Sequence, residues 1–288
     1  MASARGPRVL IVWTVPRSCS TVLERSLMNR ADVGAENIIH EPHSHVFYHG
    51  SPAERGSARF ETVPPKGVTH EDVLRRIDDA RATARRTNDG GSPLIVVKDM
   101  CYHLARADGC MDPELVERAL RQADFNVFLV RTPNKQVPSL YRMTVSTEMR
   151  APGFEYFDPR EVGYDELKYM YECAQRVGRE EGTPSVPVVV DADELVGNPK
   201  EVLGSLCEML GIAWDERMLS WEDNGKFAEL CADWSAWHQD AINSVGFVAK
   251  PTTRCADACG ESQAECVRQA IARAMPVYDE MLKACIKT

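Results

Sequence analysis

RVLIVWTVPRSCSTVLERSLMNR, residues 8–30, is the stretch that decides the fold. Val9–Trp13 is an unbroken apolar run, as in a strand buried on both faces. Thr21–Asn29 carries Val22, Leu23, Ser26 and Leu27 at helical spacing. Between them lies the polar turn Pro16-Arg17-Ser18-Cys19-Ser20-Thr21. The first N–H groups of a helix have no intrahelical partner and point along its dipole, so such a turn can cradle phosphate oxygens. Ser18, Ser20 and Thr21 add hydroxyls, and Arg17 adds a charged fork. The alternative is that Ser20 or Thr21 simply caps the helix. The turn has neither the glycines nor the Gly-Lys-Ser/Thr ending of an NTPase loop, which argues against that class.

Further along, Leu94–Val97, Asn126–Val130 and Val186–Val190 read as three more buried strands. Helices are expected over Glu71–Arg86, after the Asp112-Pro113 and Asn198-Pro199 caps, and from Ser262 to Ile286. Residues 31–70 read as irregular. Apolar strands alternating with helices imply an α/β fold, a central parallel sheet flanked by helices. The expectation is a single domain over 1–288 whose part from 225 to 288 is mainly helical or irregular. Ligands of such sheets sit beyond the carboxyl ends of the strands. That edge would receive the Arg17–Thr21 turn, Lys98 and Asp99, Arg131, and Asp191 with Asp193: an anion site. Bland readings remain for some of these: Lys98 solvated, Arg131 paired with an acidic helix residue, Ser139 facing solvent.

The setting is an acidic one. The 288 residues carry a net charge of −9, which argues against nucleic acid or an anionic membrane as partner. Ten cysteines are scattered with no Cys-x-x-Cys, and the first apolar run is too short for a signal peptide. Reduced thiols and a cytoplasmic location are expected. Cys255, Cys259 and Cys266 lack finger spacing, so a metal reading there is the minor one.

The turn resembles the 5′-phosphosulfate loop of the sulfotransferases that use 3′-phosphoadenosine-5′-phosphosulfate (PAPS), with Cys19 where the family usually has glycine. FLVRTPNKQVPSLYR resembles their second motif, with Arg131, Pro133 and Ser139 at its spacing. VVVDADELVGNPKEVLGSLCEMLGI, Val188 to Ile212, resembles their strand, acidic-Leu segment and Asn-Pro-capped helix. The resemblance covers most of residues 8–212 and implies a P-loop-like sulfotransferase fold. It also implies PAPS as donor, adenosine 3′,5′-bisphosphate (PAP) as product, and no required metal. Arg17, Ser18, Cys19, Ser20 and Thr21 would then hold the 5′-phosphosulfate, and Arg131 and Ser139 the 3′-phosphate. Departures accompany it. Lys98-Asp99-Met100 lacks the histidine base of many cytosolic members, and Ala192 stands where a tyrosine is usual. The late Arg-Lys-Gly loop is absent, leaving Lys250 and Arg254 as substitutes.

NIIHEPHSHVFYHG supplies the missing base. Glu41 resembles the glutamate that some bacterial members use, and burial among apolar residues would raise its pKa to suit the role. His40 and His43 are the runners-up. Satisfied structural histidines, or a metal held by Glu41, His43 and His45, are the other readings. Lys98 and Arg17 would stabilise the sulfuryl oxygens and the leaving phosphate. Phe154, Tyr156 and Phe157 would line the acceptor pocket. Trp214, Trp221, Trp234 and Trp237 read as core or lid rather than a stacking platform. The acceptor would be a small soluble molecule with a hydroxyl or amine; oligomeric state is open. Two other functions compete: an inactive nucleotide-binding relative, and a small-molecule kinase whose magnesium carboxylates would be Asp99 and Asp191.

Overall fold

The central strand of the sheet is the first one in the chain. The computed structural model describes residues 6–87, 93–147, 150–180, 187–222, 225–249 and 261–287, with 261–263 as backbone only. Its strands are β1 (Arg8–Thr14), β2 (Ile38–His40), β3 (Leu94–Met100), β4 (Phe125–Val130) and β5 (Val188–Asp191). They form one all-parallel sheet in the order β2-β3-β1-β4-β5. The chain steps from β1 to one side and later returns to β4 on the other. That reversal places a crevice beyond the carboxyl end of β1, where ligands of doubly wound sheets bind.

The described helices are α1 (Ser20–Met28), α2 (Ser44–His49), α3 (His70–Thr87), α4 (Pro113–Arg121), α5 (Pro133–Val145), α6 (Tyr164–Glu180), α7 (Ala192–Gly197), α8 (Pro199–Leu210), α9 (Lys226–Leu230), α10 (Ser235–Ile242) and α11 (Glu261–Leu282). Strand alternation sorts them onto two faces. Val9, Ile11, Trp13, Ile95, Val97, Phe128 and Val130 pack against apolar stripes of α3, α4, α5, α6 and α11. Leu10, Val12, Leu94, Val96, Val127 and Leu129 pack against α1 and α8. A strand flanked on both sides this way must be apolar at every position, which is why Val9–Trp13 shows no polar alternation.

Two departures from the sequence reading matter. The stretch 31–70 is not wholly irregular: it contributes the edge strand β2 and helix α2. β2 is three residues long, too short to show a period. At the other end α11 closes at Leu282, and Cys285 pairs with Val189 of β5, with the Ile286 N–H donating to the Val189 carbonyl at 3.0 Å. No described helix is long and apolar enough to cross a membrane.

Candidate active site

The turn after β1 is strained at two consecutive odd positions. Arg17 and Cys19 have φ of 61° and 63°, in the left-handed region that ordinary residues avoid. Cys19 is the N-cap of α1, and no side chain caps that helix. Ser20 and Thr21 are its first two residues, so the capping alternative does not describe them. The first bonds to the cap carbonyl come from the Val22 and Leu23 N–H groups at 3.1 and 3.2 Å. The bend is held from outside. Gln136 Nε2 donates to the Pro16 carbonyl at 2.9 Å and Arg131 Nη1 to the Arg17 carbonyl at 2.6 Å. Thr14 Oγ1 lies 2.6 Å from Ser18 Oγ and donates to the Leu129 carbonyl at 2.9 Å.

Helix α10 clasps the same turn. Arg17 Nη1 donates to the Trp237 carbonyl at 2.6 Å, Thr21 Oγ1 meets His238 Nδ1 at 3.0 Å, and Arg25 Nη1 reaches the carbonyls of Ala241 and Ile242 at 2.5 Å each. Between turn, sheet edge and α10 lies a cavity of about 710 Å³. Arg17, Ser18, Cys19, Ser20, Thr21, Arg131, Ser139 and Glu41 all line it. Ser139 is not solvent-facing: its Oγ accepts from Arg17 Nε at 3.1 Å. Lys250 and Arg254 lie outside the described residues; Val248 and Ala249, just before them, line the cavity.

Arg142 also lines the cavity, from α5. It stands three residues after Ser139 in the quoted motif, and helical spacing placed it on the same face, a signal the sequence reading passed over. Arg131 Nε and Arg142 Nε are buried without a hydrogen-bond partner, the nearest carboxylate oxygen to the former being Asp193 Oδ1 at 3.8 Å. Burial pushes the Arg17 pKa down, and the charges of Arg131 and Arg142 push the same way against Asp240 and Cys19. Three guanidinium groups and a helix N-terminus facing one cavity favour an anion there.

Behind Glu41, Lys98 is fully buried and does not line the cavity; its ammonium holds Glu41 Oε1, so it is not solvated. Glu41 itself has a φ of 38° and is tied back by its N–H to the Lys98 carbonyl at 2.7 Å. Its pKa corrects the expectation. Burial does push it up, but Lys98, His40, His238 and His103 outweigh burial and hold it well below the usual carboxylate range. The lysine beside it was legible; its contact with Glu41 was not, because β2 and β3 pair only in the fold, at His40 opposite Lys98.

His40 does not face the cavity. Its Nδ1 lies 2.7 Å from Glu24 Oε2 and its Nε2 3.1 Å from His238 Nε2. His43 turns away to His70, Nδ1 to Nδ1 at 2.9 Å, and burial lowers its pKa to about 3. His45 pairs with Asp233 at 3.1 Å, so His43 and His45 do not converge on Glu41. His40 Nε2, His238 Nε2 and a Glu41 oxygen do lie within 4.8 Å of one another. Lys98 holds the same Glu41 oxygen, and all four imidazole nitrogens have hydrogen-bond partners.

The far wall is aromatic. Tyr48, Tyr102, Phe154, Trp234 and Trp237 line the cavity with Met100. Phe154 stacks edge-on to Trp237 with centroids 4.9 Å apart, and the Tyr48 and Tyr102 hydroxyls meet at 3.2 Å. Tyr156 and Phe157 are elsewhere: Tyr156 is exposed under Arg59, 4.3 Å from its guanidinium carbon, and Phe157 packs on Tyr141. Trp221 is buried beside Arg25, and Trp214 is exposed. Asp99 accepts from the His43 and Met100 N–H groups and pairs with His103 at 2.6 Å. Asp191 caps α7 and accepts from the Tyr278 hydroxyl at 2.8 Å. Neither carboxylate lines the cavity. Ala192 is buried as the first residue of α7. Of the cysteines read as a minor metal candidate, Cys255 and Cys259 fall outside the described residues, and Cys266 is exposed.

Residues 183–285 match the family model described as sulfotransferase domain. Branched-chain-amino-acid aminotransferase-like protein 2 of Arabidopsis thaliana is 27% identical over 241 residues, 83% of this chain and 36% of that protein. The like-named protein 1 is 27% identical over 245 residues, 84% of this chain and 37% of that protein. The chain thus spans little more than a third of the length of these curated relatives. Among solved structures, a sulfotransferase from Alicyclobacillus acidocaldarius is 17% identical with a TM-score of 0.45, covering 83% of this chain and 95% of that one. Mouse sulfotransferase SULT7A1 complexed with PAP is 11% identical with a TM-score of 0.43, covering 98% and 88%. The sulfotransferase resemblance read over residues 8–212 and the family match over 183–285 meet in a single parallel sheet.

Proposed function

We propose that this protein is a sulfotransferase that moves a sulfuryl group from PAPS to a hydroxyl or amine of a small acceptor. The observation that carries the reading is that Arg17, Arg131 and Arg142 line the same cavity as the uncapped N-terminus of α1, two of them with a buried unbonded Nε, in a chain of net charge −9. The free amides of Ser20 and Thr21, with the Ser18 hydroxyl, hold the 5′-phosphosulfate along the helix dipole. Arg131 and Ser139 take the 3′-phosphate, and Arg142 extends that grip. The aromatic wall receives the acceptor, with its hydroxyl or amine toward Glu41.

Glu41 Oε accepts the acceptor's proton as the acceptor oxygen or nitrogen bonds to sulfur. The bond from sulfur to the 5′-phosphate oxygen breaks, and PAP leaves. A carboxylate held below its usual pKa is a weak base, which suits a transfer whose barrier lies mainly in charge placement. Lys98 does not line the cavity and acts through Glu41, keeping that carboxylate ionised and oriented until it takes the proton. His40 and His43 face away from the cavity and take no part in proton abstraction. Asp99 and Asp191 are committed to local bonds, which disfavours a magnesium-dependent kinase. The described cysteines are free thiols, which supports a reducing, cytoplasmic setting.

The test is thermal stabilisation by adenosine 3′,5′-bisphosphate against ATP with magnesium, in the wild type and in Arg131→Ala. The bisphosphate alone should stabilise, by about 2.7 kcal/mol at a hundred times its Kd, with most of the effect lost in the variant. Stabilisation by ATP and magnesium alone overturns the reading. Turnover that survives in Glu41→Gln removes Glu41 from the mechanism, and bisphosphate binding without turnover in the wild type assigns the inactive relative.

A further inference from the structure

Four side chains run in line from the buried side of α1 to the phosphate turn: Glu24, His40, His238 and Thr21. The contacts are 2.7 Å from Glu24 Oε2 to His40 Nδ1, 3.1 Å from His40 Nε2 to His238 Nε2, and 3.0 Å from His238 Nδ1 to Thr21 Oγ1. Glu24 is completely buried, and His238 and Thr21 are nearly so. Donor and acceptor roles along this line are forced one after another. A carboxylate only accepts, so His40 carries its proton on Nδ1. A neutral His40 then offers Nε2 as acceptor, and His238 must donate from its own Nε2. Neutral His238 is left with an acceptor at Nδ1, so the Thr21 hydroxyl spends its single proton there. In that state Thr21 presents only lone pairs to an oxyanion in the cavity it lines.

We propose that His238 is a positioning residue for the bound anion, and that anion binding at Thr21 draws one proton from solvent into the His40–His238 pair. With the extra proton every bond in the line reverses except the first. His40 holds protons on both nitrogens and donates from Nε2 to His238 Nε2. His238 carries its proton on Nδ1 and donates to Thr21 Oγ1, and the Thr21 hydroxyl turns its proton to the anion. Burial disfavours a charge on His238, which lines the cavity at one end, so the added charge rests on His40, whose Nδ1 faces the Glu24 carboxylate at 2.7 Å. Around the pair stand Glu24 from α1, Glu41 after β2, Lys98 from β3 and Arg17 from the turn, with the buried Cys231 thiol after α9 near Glu24 and Lys98. The two carboxylates favour the added proton, Lys98 and Arg17 oppose it, and an anion beside Arg17 tips the balance. This inference rests on the reading of the turn as a phosphate site.

Isothermal titration of adenosine 3′,5′-bisphosphate, in two buffers of different ionisation enthalpy, reads the proton directly. Between about pH 5.5 and about pH 8, around the ordinary imidazole value, the heats should differ by uptake approaching about one proton per ligand. Affinity should rise as pH falls across the same window. Thr21→Val, which keeps the shape and removes the hydroxyl, should bind more weakly with heats equal in both buffers. Thr21→Ser should restore the buffer dependence. Binding with equal heats throughout the window in the wild type overturns the coupling and leaves the phosphate site standing. Absence of any binding heat overturns the phosphate reading and the coupling with it.

Discussion

Cys19 occupies a backbone conformation made for glycine. At φ 63° its Cβ crowds the following carbonyl oxygen, a cost of about 1–2 kcal/mol in an L-residue. Cys19→Gly should therefore raise stability by up to about 1 kcal/mol once the extra freedom of the unfolded chain is counted, read as a higher midpoint in urea. Lys98 and Glu41 behave in the opposite way. Both are buried and each is the other's counter-charge. Lys98→Met leaves an uncompensated carboxylate and should cost roughly 3–5 kcal/mol, measured by denaturant melts. Part of that loss should be recovered at low pH, where Glu41 can protonate. The types at positions 17, 98 and 131 were readable in the sequence, because strand ends announce themselves. The partners were not: His238 lies on the chain far from Thr21 and meets it only because α10 folds back over α1.

At the scale of elements, the loop between β2 and α2 is pinned by histidines that the fold keeps neutral. His43 is buried against His70 at the start of α3, and burial takes its pKa from 6.5 to about 3. Because the folded value is the lower one, the unfolded chain binds more protons between those two pH values, and stability falls as pH falls through that window. The loss should amount to a few kcal/mol at full protonation, and His43→Gln should flatten the slope of stability against pH. Helix α4 offers a simpler case. Asp112 accepts from the Glu114 and Leu115 N–H groups at 2.9 and 3.4 Å. Asp112→Ala should cost about 1 kcal/mol. This cap was legible, since Asp-Pro-Glu sets it within three adjacent residues. β2 was not, since its three residues owe their strand conformation to pairing with β3.

Over the whole molecule, α11 joins the core that β1 begins. Val267, Ala270, Ala274, Val277 and Met281 share one apolar cluster with Val9, Ile11 and Trp13. The Tyr278 hydroxyl donates to Asp191 at the end of β5. We expect the chain to unfold as one cooperative unit: a single calorimetric transition is the predicted outcome, and an early separate loss of α11 would count against one domain over 1–288.

The sequence by itself determined the layers and one edge of the site. Unbroken apolar strands can be buried only between two layers of helices, and a polar turn between such a strand and a helix can only open at the sheet's carboxyl edge. Arg17 and Arg131 followed from that, because strand ends place them; Ser139 was legible only through the resemblance of its motif. Tertiary structure alone decided the chemistry of Glu41. Its environment is assembled from Lys98 on β3, His40 on β2 and His238 on α10. A charge responds to what lies near it in space, not along the chain. So burial by itself pointed to a raised pKa, and the Lys98 ammonium with the imidazoles around it lowered it instead.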